Sequence, residues 1–297
     1  MEAIILTSVV LPLSLAIIML GMGTSLVVAD FKRVLIYPKA VAIGIVGQIL
    51  LLPLVGYFFA SQFGLKAEYA VGVMVLVACA GGATSNMIVY LAKGDVALSV
   101  TLTAISSCIT VISIPFVINF ALVEFMGATT EAVLPIGTTN MKLFAITMFP
   151  VILGMLIRHY FSGFAIKLEK PVNKIASLFF VLIVFSILYT ERNGLVDALI
   201  VTGPVTYVLN LVTMLLGFTA ARLFQLNKSQ SVTVSVEIGV QNSATGIFIA
   251  TALLHNSEIG IIPAVYSLVM YVNAGLLIGL VHFYMKQPDH ELTGVKA

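Results

Sequence analysis

Charge is what this sequence has least of. Asp, Glu, Lys and Arg make up 9% of its 297 residues, against roughly 25% in soluble domains, while 60% are hydrophobic. A soluble chain of this length has no core large enough to hide that much apolar surface, so lipid must be the solvent for most of it. The net charge is only +2 and Lys and Arg form no run, which leaves nucleic acid without an electrostatic footprint. Cysteine is nearly absent as well. Cys79 and Cys108 stand singly in apolar stretches, and with no CxxC spacing or histidine cluster beside them they read as packing residues. Met1-Glu2 lacks the positive start of a signal peptide, and the apolar run behind it is too long for one. That run is read as a first membrane span.

Long apolar runs are what the chain has in quantity. A helix needs about 20 mostly apolar residues to cross a bilayer, and nine such stretches follow one another, at approximately 4–28, 38–62, 69–91, 96–124, 141–161, 174–190, 196–224, 230–254 and 261–284. The connections are short, so the expectation is an all-α polytopic membrane protein with one domain over residues 1–297. Orientation follows from the positive-inside bias. With the N-terminus outside, twelve basic residues (Lys32, Arg33, Lys39, Lys93, Arg158, Lys167, Lys170, Lys174, Arg222, Lys228, Lys286, Lys296) fall on the cytoplasmic side. Three, Lys66, Lys142 and Arg192, fall outside. The C-terminus is then cytoplasmic, and the expected location is a cell membrane, the inner membrane if the source is bacterial.

Two spans are interrupted. The third carries Ala80-Gly81-Gly82-Ala83-Thr84-Ser85-Asn86, and the eighth carries Glu237-Ile238-Gly239-Val240-Gln241-Asn242-Ser243. Paired glycines weaken a helix, and Ser, Thr and Asn offer the backbone competing bonds. Irregular backbone at membrane depth survives only where protein or a water-filled cavity surrounds it. A close helix contact through small residues is the plainer reading of Gly81-Gly82. Glu237 changes the weighting, because a carboxyl at that depth costs at least about 2.5–3.5 kcal/mol and calls for a cation, a proton or a hydrogen-bond partner. The two breaks occupy matching places in a first half of about 1–125 and a second half of about 141–285 that run in opposite senses. Such pairing is the signature of an inverted-repeat carrier with ion and substrate sites at the midplane.

At these motifs the sequence resembles the bile acid:sodium symporter family. Gly81-Gly82-Ala83-Thr84-Ser85-Asn86 matches its Gly-Gly-x-x-Ser-Asn crossover, and Glu237-Ile238-Gly239-Val240-Gln241-Asn242 its Glu-x-Gly-x-Gln-Asn crossover. The likeness extends through Gly21-Met22-Gly23, Asp30-Phe31-Lys32-Arg33 and Tyr90–Ser99. It implies a core domain and a panel domain, with two broken helices crossing in the core, and it places the first span here at the family's second. It further implies two sodium sites. The first would be built by Ser85, Asn86, Ser99, Thr103 and Glu237. The second would use Gln48, Glu237 and Gln241 with the carbonyls of Ile238 and Val240. Taken singly, a span Ser or Thr more often bonds its own i−4 carbonyl, and Gln48 alone reads as interhelical glue.

Two sodium ions against one carboxylate leave +1, which a monovalent organic anion would neutralise. The resemblance therefore implies sodium-coupled symport of an organic anion, bile-acid-like or a smaller carboxylate such as pantoate, by alternating access. Ala83, Thr84, Asn242 and Ser243 are the candidate substrate contacts, with Ala83 standing where some bacterial members carry Thr. No cofactor is expected besides Na+ as the coupling ion. A proton-coupled carrier and a passive anion channel of the same fold are the alternatives. An enzyme is disfavoured, since His159, His255, His282 and His290 lie at span ends or in the tail and none pairs with a buried carboxylate.

Overall fold

The computed structural model describes residues 11–127, 134–190, 192 and 194–286. Every regular element among them is helical. In chain order they are α1 (Leu11–Ser25), α2 (Val28–Lys32), α3 (Pro38–Gln62), α4 (Ala67–Ala78), α5 (Ala83–Leu91), α6 (Val96–Met126), α7 (Ile136–Tyr160), α8 (Ser162–Thr190), α9 (Leu195–Leu223), α10 (Lys228–Gly239), α11 (Ser243–Phe248) and α12 (Ser257–Lys286). Five of these, α3, α6, α7, α9 and α12, are long and apolar enough to cross a membrane. The third and eighth apolar stretches are each two shorter helices, α4 with α5 and α10 with α11. The sixth lies in the 29-residue α8, whose apolar part is Ser177–Tyr189.

The first span stops earlier than its apolar run suggests. Helix α1 ends at Ser25, and the next segment, Val28–Leu35, leaves at 73°. The cause is Asp30, whose carboxylate accepts the Val27 N–H at 2.7 Å and starts a new helix there. Asp30 is buried and pairs with Arg33 at 2.5 Å. Thr101 Oγ1 donates to the Asp30 carbonyl, which fixes this corner to α6.

Two groups of helices form. One consists of α1, α7 and α8, which pack on one another. Glycines set the α1–α7 spacing: a Cβ at Gly23 would lie 2.2 Å from the Val151 carbonyl oxygen, and one at Gly154 would lie 2.6 Å from that of Leu20. Close backbone approach through small residues is how membrane helices gain contact where lipid gives no hydrophobic advantage. The other group gathers α3, α6, α9 and α12 around α4 and α10. From Tyr69 to Ala78 and from Ser231 to Gly239 every residue is buried, so α4 and α10 are screened from lipid on all sides.

Burial on all sides suits α10 for a second reason. Its Ser231, Thr233 and Ser235 would be costly against lipid, but each finds a partner inside the protein. Ser231 donates to Asn227 O, Thr233 accepts the Asp95 N–H at 2.7 Å, and Ser235 donates to Met214 O at 2.7 Å. Prolines widen two of the long helices. Five-residue π-helical turns at Gly47–Leu51 and Phe144–Met148 precede Pro53 and Pro150 closely. A wider turn makes room for a proline ring that would otherwise strike the preceding turn.

Candidate functional site

The two breaks meet. Helix α4 gives way to extended backbone at Cys79 (φ −79°, ψ 143°) and resumes after Gly82, while α10 gives way at Val240 (φ −98°, ψ 109°). Across the crossing the Asn242 N–H donates to the Ala80 carbonyl at 2.9 Å. A Cβ at Gly81 would stand 3.3 Å from Val240 O and 3.4 Å from Glu237 Oε2, so Gly81 keeps a carbonyl and a carboxylate within reach of the gap. Asn242 restarts the second chain as the cap of α11, its Oδ1 accepting the Thr245 N–H at 3.1 Å.

Glu237, 4% exposed, is the centre of this crossing. Ser99 Oγ lies 2.5 Å from its Oε1, and Thr103 Oγ1 lies 2.8 Å from its Oε2. Both hydroxyls come from one face of α6, as i and i+4 must. Ser85 Oγ is 3.3 Å from Thr103 Oγ1 and donates to Gly82 O at 2.8 Å. Asn86 Oδ1 is 2.7 Å from Ser99 Oγ. The structure therefore gathers Ser85, Asn86, Ser99, Thr103 and Glu237 from three helices into one oxygen cluster.

The cluster is short of protons. Ser99 has a single hydroxyl hydrogen, yet two acceptors, Asn86 Oδ1 and Glu237 Oε1, sit within hydrogen-bond distance of its oxygen. Three arrangements resolve the conflict: the Asn86 amide turned so that Nδ2 donates to Ser99, a proton on Glu237 that donates to Ser99 and lets Ser99 donate to Asn86, or a hard cation bound by several of these oxygens at once.

The remaining positions lie beside this cluster. Gln48, in the widened turn of α3, donates from Nε2 to Gln241 Oε1 at 2.9 Å and to Cys79 O at 3.0 Å. Gln241 donates from Nε2 to Ile238 O at 2.7 Å. Gln241 thus links Gln48 to the Ile238 carbonyl, and the Val240 carbonyl faces Gly81 as described. Of the substrate-contact candidates, Thr84, Asn242 and Ser243 line one cavity; Ala83 opens α5 next to them. That cavity, of about 660 Å³, lies between the α1/α8 group and the crossing. Ile18, Met19 and Met22 of α1, Phe180, Val184 and Phe185 of α8, and Leu268 and Tyr271 of α12 supply its apolar walls. Ser243 Oγ is buried and has no hydrogen-bond partner. A second apolar cavity of about 410 Å³ lies among α1, α2, α6 and α7 and is lined by Phe31, Cys108 and His159, among others.

Sequence reasoning passed over one group. Asn210 and Tyr266, both buried, hydrogen-bond the Gly239 carbonyl at the end of α10. The signal was available, since a lone Asn inside an apolar span is costly for the same reason as Glu237.

A chain whose described residues form only helices, several of them apolar enough to span a membrane, and whose interior holds a carboxyl surrounded by side-chain oxygens, has the make-up of a multi-pass membrane transporter. Comparison with known proteins narrows the class. The model of the Sodium Bile acid symporter family matches residues 12–198. The chain is 30% identical over 283 residues to the sodium-dependent transporter YocS of Bacillus subtilis, covering 95% of this chain and 85% of that one. It is 30% identical over 264 residues to the probable chloroplastic sodium/metabolite cotransporter BASS1 of rice, covering 88% of this chain and 63% of that one. With the human ileal sodium/bile acid cotransporter it shares 25% identity over 288 residues, 95% of this chain and 81% of that one. The chain belongs to the sodium bile acid symporter family. Membership makes it a sodium-coupled transporter rather than an enzyme.

Proposed function

We propose that the chain carries sodium and an organic monoanion together across the membrane, with the Glu237 cluster as the first cation position. The convergence of the Ser85, Asn86, Ser99 and Thr103 oxygens on the buried Glu237 carboxyl carries this reading. Sodium would take Ser85, Asn86, Ser99, Thr103 and Glu237 as oxygen ligands without breaking the fold around them. A second sodium would sit between Gln48, Glu237, Gln241 and the carbonyls of Ile238 and Val240. There it would replace the Gln241 Nε2 bond to Ile238 O, the amide turning its oxygen inward. Filling the second position therefore requires a side-chain rearrangement that the first does not.

The anion would occupy the 660 Å³ cavity. Its carboxylate would take the unpartnered Ser243 hydroxyl together with Thr84 and Asn242, and the start of α5 at Ala83 adds helix N–H groups. Among the described residues no Lys or Arg lines this cavity, so the compensating charge would come from the sodium ions. The long apolar walls favour a bulky amphipathic anion over a small polar acid of the pantoate kind. In this reading nine spans form an inverted repeat of about 1–125 and 141–285, with the N-terminus outside. The α1/α7/α8 group acts as the panel, and the helices around the crossing act as the core. Rocking of one against the other would expose the cavity to each side alternately.

The test is the thermal stability of the purified protein in sodium chloride against potassium chloride, for wild type and Glu237→Gln. A ligand of the folded state stabilises it by RT ln(1 + [L]/Kd). Sodium should stabilise wild type selectively and leave the variant unmoved. Equal behaviour in both salts, with stability following pH through Glu237, would replace sodium by a proton at the same cluster.

A further inference from the structure

The proposed sodium positions leave unused a buried polar network on the other face of the α10 break. Asn210 of α9 donates through Nδ2 to Gly239 O at 2.7 Å and to Tyr266 Oη at 2.9 Å. Tyr266 of α12 donates its hydroxyl to the same Gly239 carbonyl at 2.6 Å. Asn273, two turns further along the same face of α12, donates to Asn210 Oδ1 at 2.8 Å and towards Tyr207 O at 3.4 Å. The directions are fixed, because turning the Asn210 amide over would set its oxygen against the Gly239 oxygen. Asn210, Tyr266 and Asn273 are each at most 3% exposed. Two donors, Asn210 Nδ2 and Tyr266 Oη, converge on Gly239 O, and Asn273 Oδ1 at the far end has no partner among the described residues.

Gly239 stands between the two residues whose carbonyls the second sodium position needs. Successive carbonyls in extended backbone point to opposite sides, and Val240 is extended. Holding Gly239 O towards α9 and α12 therefore turns Val240 O the other way, where it faces Gly81, the residue that also lies against Glu237 Oε2. The register is tight from behind as well, since a Cβ at Gly239 would lie 2.2 Å from Met214 Cγ. Without two donors on Gly239 O, the carbonyl of a helix end would be an orphan free to seek other partners.

We infer that Asn210 and Tyr266, braced by Asn273, are positioning residues that aim the Val240 carbonyl into the cation site. They act through the backbone of the break and touch no transported species. The inference rests on the second sodium position proposed above. It predicts that loosening the clamp weakens sodium binding before it disturbs the anion cavity, because no member of the trio lines that cavity.

The experiment is a sodium titration of thermal stability on the full-length purified protein, with potassium chloride holding ionic strength constant. Tyr266→Phe removes one donor and keeps the ring that fills the space. Its half-saturating sodium concentration should rise about three- to tenfold, the equivalent of one lost buried hydrogen bond. Asn273→Leu, one bond further from the carbonyl, should give a smaller rise in the same direction. A melting temperature lowered equally in both salts, with unchanged half-saturation in both variants, would make the network merely structural and overturn the inference. Glu237→Gln in the same titration reports on the underlying site. If it keeps the sodium response, the cation reading itself falls. If it loses the response while Tyr266→Phe titrates like wild type, only the positioning role falls.

Discussion

Replacing Asn86 by Ala separates an ion ligand from a structural side chain, because the two roles predict opposite patterns. Asn86 Oδ1 competes with Glu237 Oε1 for the one Ser99 hydrogen. Without sodium, removing that oxygen costs little, since Ser99 is then free to donate to Glu237 alone. Ala is also the better helix former inside α5, by up to about 0.7 kcal/mol. The sodium-free protein should therefore melt at the wild-type temperature or slightly above it. With sodium the loss is large. A charge-assisted contact is worth about 1.5–3 kcal/mol, so affinity should fall at least about tenfold. If the wild-type site is half-filled at roughly 10 mM, sodium at about 100 mM stabilises it by about 1.4 kcal/mol, and a tenfold weakening leaves about 0.4 kcal/mol. At about 2 °C per kcal/mol for a chain of this size, the sodium-dependent shift should shrink from about 3 °C to under 1 °C. The assay is a melting curve in each salt, followed by sodium dependence of uptake in proteoliposomes. A variant that melts well below wild type in potassium, yet retains the full sodium shift, would refute the argument.

Two further outcomes follow from the geometry. Gly23→Ala should destabilise by about 1–3 kcal/mol, because its Cβ meets the backbone oxygen of Val151 at 2.2 Å, whereas Gly137→Ala, with open space around it, should cost far less on the same melting curves. Ser243→Ala should raise the anion concentration for half-maximal uptake severalfold, the effect of one lost hydrogen bond, while leaving sodium stabilisation intact; loss of the sodium shift would place Ser243 in the ion site instead.

How much of this was legible in the sequence differs between elements. The breaks were, because Gly81-Gly82 and the Gly239–Asn242 stretch combine weak helix formers with polar residues in otherwise apolar runs. Glu237 was, because a lone carboxyl at depth needs a reason. Ser99 and Thr103 were singled out by the family resemblance, helical spacing adding only that they share one face of α6, and both hydroxyls contact Glu237. The corner after Ser25 was not. Hydropathy alone runs on through Leu26, Val27 and Val28, and the capping carboxylate that ends the run, Asp30, lies beyond it. The Gly239 clamp escaped for a different reason. Asn210, Tyr266 and Asn273 are far apart in sequence, and only the packing of α9, α10 and α12 brings them to one carbonyl. The same holds for the pairing of Gln48 with Gln241, whose separation of 193 residues carries no local pattern.

The hydrogen bond from Asn242 to Ala80 joins the two interrupted strands of backbone at their crossing. It makes the centre of the protein behave as a welded cross rather than as two independent rods. On the proposed assignment of the sites, an ion held at one arm would be felt at the other through this bond, and the cargo and its fuel would be sensed by the same short piece of chain. A weld of this kind also directs where strain must go during a transport cycle. In the proposed rocking cycle the crossing would travel as one body, and the sliding would fall on the surface shared with α1, α7 and α8.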